Sequence, residues 1–124
     1  MSFCTTINCM DGRVQLPVIQ YLQDYFNVKF VDSITEPGPI LALSEPFNSS
    51  MVNAILNRLE ISVEKHNSVG LAIVGHHDCA GNPQSKDVQL DQLHKAIDFI
   101  KAQYTDLNII GLWVDENWQV YKVY

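Results

Sequence analysis

An unbroken apolar run near the middle of the chain constrains its fold more than any other feature. The run begins at Val69 and stops at Gly75, and His76 and Cys79 follow within one turn. A continuous apolar run of this length, bounded by glycine, is typical of a strand that is covered on both faces of a parallel sheet. Because α/β proteins bind ligands just beyond the carboxyl ends of such strands, we expect a functional site directly after Gly75.

The spacing of His76 and Cys79 suits a metal ion. The two residues are three positions apart, so one turn of the chain can direct both side chains at a single ion. A neutral imidazole and a thiolate are both zinc ligands, but two ligands do not complete a site. His77 is an alternative ligand to His76, and the remaining ligands must come from another part of the chain.

A second strand near the start of the chain also runs directly into polar side chains. It begins at Phe3 and leads to Cys9, Asp11 and Arg13. Residues two apart in an extended backbone share a face, so these three side chains are predicted to point the same way. Cys9 would then be the third metal ligand, and Asp11 and Arg13 would form a carboxylate–guanidinium pair beside the metal.

Periodicity and turn residues predict the remaining elements. A loop is expected at 33–39, where two prolines bracket a glycine. Further strands are predicted at 28–32, 108–114 and 118–124, with helices that start near Pro17, at Ser49 or Ser50, and after a polar loop at 80–86.

The resulting order β-α-β-α-β-α-β-β predicts an α/β fold in which residues 1–124 form a single domain. Its sheet would be mostly parallel, with strand order 2-1-3-4, an antiparallel C-terminal edge strand and helices on both faces. Strands one and three are then neighbours, and their carboxyl ends bring Cys9 to His76 and Cys79.

Composition excludes several classes of function. The formal net charge of −6 and the lack of a basic patch argue against nucleic-acid binding. No apolar run approaches the roughly 20 residues that span a bilayer, and the N-terminus does not resemble a signal peptide. Three cysteines, an odd number, argue against a disulfide framework and favour the reducing cytoplasm.

Cys-x-Asp-x-Arg at 9–13 together with His-x-x-Cys at 76–79 resembles the signature of the β-class carbonic anhydrases. The resemblance implies Zn²⁺ bound by Cys9, His76 and Cys79, and it favours His76 over His77 as the ligand. It also implies that an aspartate–arginine dyad controls the fourth coordination position of the metal.

The implied activity is that of a zinc-dependent lyase of the carbonate dehydratase type. Zinc-bound hydroxide would hydrate CO2 reversibly to bicarbonate, or act on a related heterocumulene such as COS or CS2. Asp11 would orient the hydroxide, and Arg13 would keep the carboxylate ionised. The family also contains a closed form, in which the aspartate itself binds the zinc.

Two other functions are consistent with the sequence. The chain could be a non-catalytic zinc protein of the same fold that binds bicarbonate or a protein partner. A cysteine redox protein is a weaker interpretation, because the chain has no Cys-x-x-Cys motif. The segment 33–39 distinguishes the enzyme from the non-catalytic zinc protein, because the family usually has Arg-Asn-Ala-Gly after the second strand.

Several other side chains receive a structural interpretation. Cys4 is predicted to be a small core residue, Glu36 to be a solvated loop carboxylate, and Asp78 to cap its turn rather than bond to a donor of the site. The protein is expected to form a homodimer or a higher homo-oligomer through its aromatic C-terminal segment. The residues expected at this contact are Trp113, Trp118, Tyr121 and Tyr124.

Overall fold

The computed structural model describes residues 2–47 and 49–124 of the chain. Strands and helices alternate through most of it. The strands are β1 (Phe3–Cys9), β2 (Phe30–Glu36), β3 (Gly70–His76), β4 (Asn108–Val114) and β5 (Val120–Lys122). The helices are α1 (Gly12–Phe26), α2 (Pro39–Ser44), α3 (Ser50–Glu60), which continues into a π-helical segment (Ile61–Lys65), and α4 (Lys86–Lys101).

The five strands form one sheet in the order β2-β1-β3-β4-β5. The pairs β1–β2, β1–β3 and β3–β4 are parallel, and β5 pairs antiparallel with β4. The predicted fold class is therefore confirmed. The chain passes from β1 to β2 on one side of β1, whereas β3 lies on its other side. The carboxyl ends of β1 and β3 therefore flank the crevice at the topological switch point of the sheet.

Helices cover both faces of the sheet, which explains why β3 is buried along its whole length. One face of β3 carries Leu71 and Ile73, which pack with the buried residues of α2, α3 and α4. The opposite face carries Ala72 and Val74, which pack with the buried residues of α1 and with Cys4. None of the described helices has the length and apolarity that crossing a bilayer requires.

The segment 33–39 differs from its prediction as a loop. Residues from Ser33 to Glu36 extend β2 and pair in parallel with the second half of β1. Pro39 then begins α2 directly, after Gly38 in the left-handed conformation. A proline at the first position of a helix loses no hydrogen bond, so the two prolines mark a strand end and a helix start rather than a long loop.

Helix α1 also begins earlier than predicted, because Pro17 lies inside it. Asp11 is the N-cap, and its side chain accepts a hydrogen bond from the backbone N–H of Arg13 at 2.9 Å. This cap sets the start of the helix, and only two residues separate it from the end of β1. Pro17 supplies no N–H to the carbonyl of Arg13, and the helix tolerates that loss close to its first turn. For the next long helix, the predicted cap is correct, since Ser49 accepts from the N–H of Val52.

The connections that follow β2 and β3 are pressed together at the edge where these strands end. A methyl group on Gly81 would lie 2.6 Å from the carbonyl carbon of Pro37, and one on Gly38 would lie 2.7 Å from Cβ of Asn82. Gly38 also has a φ of 55°, which favours glycine. The close approach of these two connections positions the turn that carries Cys79.

We predict that Gly81→Ala destabilises the zinc-free protein by about 1–3 kcal/mol, because the added methyl group must separate two backbone segments. Urea denaturation measures the change. Gly12→Ala is the matched control, since a methyl group there meets no described heavy atom within 4 Å apart from its chain neighbours and the backbone of its own helix. At this first helical position we expect no loss of stability. Equal midpoints for Gly81→Ala and wild type would contradict the proposed close contact.

Candidate metal centre

Cys9, His76 and Cys79 lie together at the carboxyl edge of the sheet. Cys9 ends β1, His76 ends β3, and Cys79 lies in the turn that follows β3. One potential ligand atom from each residue lies within 4.8 Å of the other two, and all three residues are buried. Parallel pairing of β1 with β3 brings the two strand ends together although they are distant in sequence.

The separation of the two sulfur atoms fits a tetrahedral metal ion. Sγ of Cys79 lies 3.8 Å from Sγ of Cys9. Two thiolates bound to one zinc ion at about 2.3 Å would lie about 3.8 Å apart if the site is tetrahedral. Two thiolates and one neutral imidazole also balance the charge of Zn²⁺. The donor set and the geometry therefore fit zinc.

The hydrogen bonds of His76 leave one ring nitrogen available for a metal ion. Its Nδ1 lies 2.7 Å from the carbonyl oxygen of His77, so Nδ1 carries the proton and donates it to that oxygen. Its Nε2 is buried and has no hydrogen-bond partner among the described residues. A buried ring nitrogen of this kind normally has a partner, and a metal ion would supply one.

The sulfur atoms also affect each other's protonation. A hydrogen bond from the Cys79 thiol lowers the pKa of Cys9 well below its usual range, and the backbone amides of Gly38 and Asp11 lower it further. The same hydrogen bond, followed by burial, raises the pKa of Cys79. Burial lowers the pKa of His76, but Cys9, the carbonyl of His77 and the charge of Asp11 together raise it above its usual value. The cluster therefore already favours a thiolate at Cys9, which is the form that binds metals.

Gln89 anchors the backbone of His76, and the sequence analysis missed it. Its Oε1 accepts from the N–H of His76 at 3.2 Å, and its Nε2 donates to the carbonyl of His76 at 2.9 Å. This side chain therefore pairs with the peptide groups at the end of β3 as a neighbouring strand would. The signal was present in the sequence: Gln89 lies four residues before Leu93 and so shares the buried stripe of α4.

Asp11 and Arg13 form the expected pair, but through a helix cap and not along a strand. The spacing of two predicts Cys9, Asp11 and Arg13 on one face of an extended strand. In the structure β1 ends at Cys9, Asp11 caps α1, and Arg13 is the second residue of that helix. The guanidinium reaches back and donates from Nε to Oδ1 at 3.0 Å and from Nη2 to Oδ2 at 2.6 Å.

This bidentate pair keeps Asp11 ionised. Hydrogen bonds from the Arg13 side chain are the main reason that the pKa of Asp11 falls to about 2. The connection itself is fixed by Gln15, whose Nε2 donates to the carbonyls of Cys9 at 2.7 Å and Asp11 at 2.8 Å. Asp11 is therefore held by its backbone carbonyl through Gln15 and by its carboxylate through Arg13.

Two further residues hold the guanidinium of Arg13. Asp78 accepts from it twice, through Oδ2 at 3.2 Å and through its backbone carbonyl at 3.1 Å. Cζ of Arg13 lies over the ring of Trp118, 4.3 Å from the ring centroid. Asp78 thus bonds to a donor of the site, which was the less favoured interpretation, and Trp118 contacts the guanidinium of the same pair.

The other assignments near the site have mixed outcomes. His77 is exposed and lies outside the group of potential ligands, and Cys4 is buried in the core. Glu36 is not a solvated loop carboxylate, because it ends β2, is partly buried and forms an ion pair with Arg58. Trp113 is 4% exposed, so it is not free to form a subunit contact.

A cavity of about 370 Å³ opens beside Cys79. The turn after β3 forms one wall, and the start of α4 with the ring of Trp113 forms another. Lys86 and His77 lie at its margin and are shared with a neighbouring cavity of about 360 Å³. A volume of this order is typical of sites for small molecules.

Comparison with known proteins gives the same result as the motifs. A family model described as "Putative carbonic anhydrase" matches residues 1–124. A search of curated proteins finds no significant match. Two similar solved structures are the β-carbonic anhydrase CcaA and the β-carbonic anhydrase CafA of the fungal pathogen Aspergillus fumigatus.

Both structural likenesses extend over nearly the whole chain. The first has 14% identity and a TM-score of 0.59, and the match covers 98% of this chain and 80% of CcaA. The second has 11% identity and a TM-score of 0.55, and it covers 97% of this chain and 74% of CafA. At these identities the likeness concerns the fold, which is that of the β-carbonic anhydrases. Because the family model spans the whole sequence, the chain belongs to the carbonic anhydrase-like family that this model describes.

Proposed function

We propose that this protein binds one zinc ion through Cys9, His76 and Cys79 and catalyses the reversible hydration of CO2 to bicarbonate. A related small heterocumulene such as COS or CS2 is an alternative substrate of the same chemistry. The observation that carries the proposal is the position of the bidentate Asp11–Arg13 pair directly beside the Cys-His-Cys cluster. Neither group alone would indicate more than a metal site or a surface ion pair.

A zinc ion in this cluster would lower the pKa of bound water to about 7 and so supply a nucleophile at neutral pH. The protein's own contribution is to orient that nucleophile. Asp11 is ionised, so its oxygens can only accept hydrogen bonds. It can therefore hold the O–H of the nucleophile and direct a lone pair towards CO2.

The hydrogen bonds of Asp11 leave room for this role. Oδ1 accepts from the backbone N–H and from Nε of Arg13. Oδ2 accepts from Nη2. It also lies 3.2 Å from Nε, but Nε is closer to Oδ1. A carboxylate oxygen has two lone-pair sites, so Oδ2 retains capacity for one more donor. Because Arg13 engages both oxygens, the arrangement favours the open form, in which the aspartate does not bind the metal.

The cavity beside Cys79 has room for a small-molecule substrate. Its volume of about 370 Å³ greatly exceeds that of CO2, so its walls do not by themselves select this substrate. Discrimination among CO2, COS and CS2 would then depend on how Asp11 orients the attack. The non-catalytic zinc protein is the alternative, and the experiments below distinguish the two.

The first prediction concerns the metal. Protein purified without a metal-affinity tag should contain about one zinc per chain, measured by elemental analysis, because the three ligands are buried and preorganised. Cys79→Ser should abolish zinc binding. Cys4→Ser is the matched control and should retain zinc, since Cys4 lies in the core away from the cluster. Less than a third of an equivalent after expression with added zinc would contradict the ligand assignment.

The second prediction concerns catalysis. Zinc-loaded wild-type protein should hydrate CO2 in a stopped-flow assay, and Asp11→Asn should lower kcat/KM about a hundredfold, or roughly 2.7 kcal/mol, while retaining zinc. The amide loses an acceptor and gains donors, so it misorients the nucleophile. Asp24→Asn, an exposed position on the same helix, is the matched control and should leave the rate unchanged.

The absence of CO2 hydration by zinc-loaded wild-type protein between about pH 6 and 9 would overturn the enzymatic proposal. The non-catalytic zinc protein would then take its place. Arg13→Lys gives a further check, because an ammonium group cannot reproduce the planar two-point contact with the carboxylate. It should lower the rate without releasing zinc.

The third prediction concerns assembly. We propose a homo-oligomer, but with a smaller C-terminal contact than the sequence indicated, because Trp113 is buried and Trp118 covers Arg13. Tyr121 and Tyr124 remain 52% and 42% exposed. Sedimentation velocity should give at least the mass of a dimer at micromolar concentration. A monomer under these conditions would contradict the proposal.

A further inference from the structure

Arg13 is held more completely than a partly exposed arginine usually is. An exposed ion pair is normally mobile, since water competes for both partners. Here the guanidinium is fixed in three directions: by both oxygens of Asp11, by Asp78 on another edge and by Trp118 on its face. The hydrogen bonds lie in the plane of the group, so the aromatic contact alone restrains motion out of that plane.

The turn between β4 and β5 is built to present Trp118 to Arg13. Asp115 Oδ1 accepts from the N–H groups of Asn117 and Gln119, both at 2.9 Å. The carbonyl of Asp115 accepts from the N–H of Trp118 at 3.0 Å. These bonds hold Trp118 at a φ of 60°, a conformation that a bulky residue rarely adopts.

We propose that Trp118 is a positioning residue for the Asp11–Arg13 pair. Stacking of the indole on the guanidinium holds Arg13 in the plane in which it reaches both oxygens of Asp11. Water is excluded from that face, so the pair keeps its two-point geometry although Arg13 is partly exposed. The inference rests on the proposed function, because it assigns Trp118 to the orientation of Asp11.

The number of arginines makes the inference directly measurable. The chain contains two, Arg13 and Arg58. A ¹H–¹⁵N correlation spectrum of the protein as purified should therefore show at most two Nε–H signals, and Arg58→Lys assigns them. Arg58 has its own hydrogen bonds, from Nε to the carbonyl of Ala54 at 3.1 Å and to Glu36, and so serves as an internal reference.

Trp118→Leu should increase the hydrogen-exchange rate of the Arg13 Nε–H at least threefold and leave that of Arg58 unchanged. Trp118→Phe should restore part of the protection, because a smaller ring still covers the guanidinium. Trp118→Gly is a second variant that suits the left-handed backbone and removes only the ring, so it separates the stacking from the fold of the turn. Tyr121→Leu, an exposed aromatic on β5, is the matched control and should leave Arg13 unchanged.

The same variants give a kinetic result that differs from that of a structural defect. Trp118→Leu should lower kcat about tenfold with KM and zinc content unchanged, which is less than the loss from removing Asp11 itself. Unchanged exchange of the Arg13 Nε–H in both Trp118→Leu and Trp118→Gly would overturn the inference, as would an equal change in Tyr121→Leu. An inactive wild type with protected Arg13 would instead overturn the proposed function and leave the positioning role intact.

Discussion

The parallel pairing of β1 with β3 is the constraint on which the rest of the site depends. It places the ends of two strands that are distant in sequence side by side, so that two sulfur atoms lie 3.8 Å apart. The fold must then stabilise polar and ionisable groups at that edge. Gln89 forms hydrogen bonds with the peptide groups of His76, and Gln15 donates to the carbonyl of Cys9 at the end of β1. Each glutamine supplies the hydrogen bonds that an adjacent strand would otherwise provide.

The charged pair depends on a different part of the structure. Asp11 serves as both the cap of α1 and the partner of Arg13, so the carboxylate that starts the helix is also the one that the Arg13 side chain keeps ionised. The outer side of Arg13 is covered from the far edge of the sheet, by Trp118 in the turn before β5. The ligand cluster is thus formed by the central strands, whereas the dyad also needs the C-terminal hairpin.

The fold and the ligand cluster were predictable from sequence because they follow from strong patterns. The apolar run before His76 gives the central strand, and short connections with alternating helices give the strand order. The contacts of Trp118, Asp78 and Gln89 were not predictable, since each depends on a side chain that crosses between separate elements. The residues around Gly38 were misread because prolines mark loops and helix starts alike. The pairing of Asp11 with Arg13 was expected for the wrong reason, because a helix cap and not an extended strand joins them.

The order of these elements along the chain has a consequence for biosynthesis. All three candidate ligands lie before residue 80, whereas β4, β5 and Trp118 follow it. Cys9, His76 and Cys79 therefore emerge from the ribosome before β4, the strand that pairs with the outer edge of β3. Metal could reach the cluster while that edge is still open to solvent. The cover over Arg13 is completed only after Trp118 has emerged.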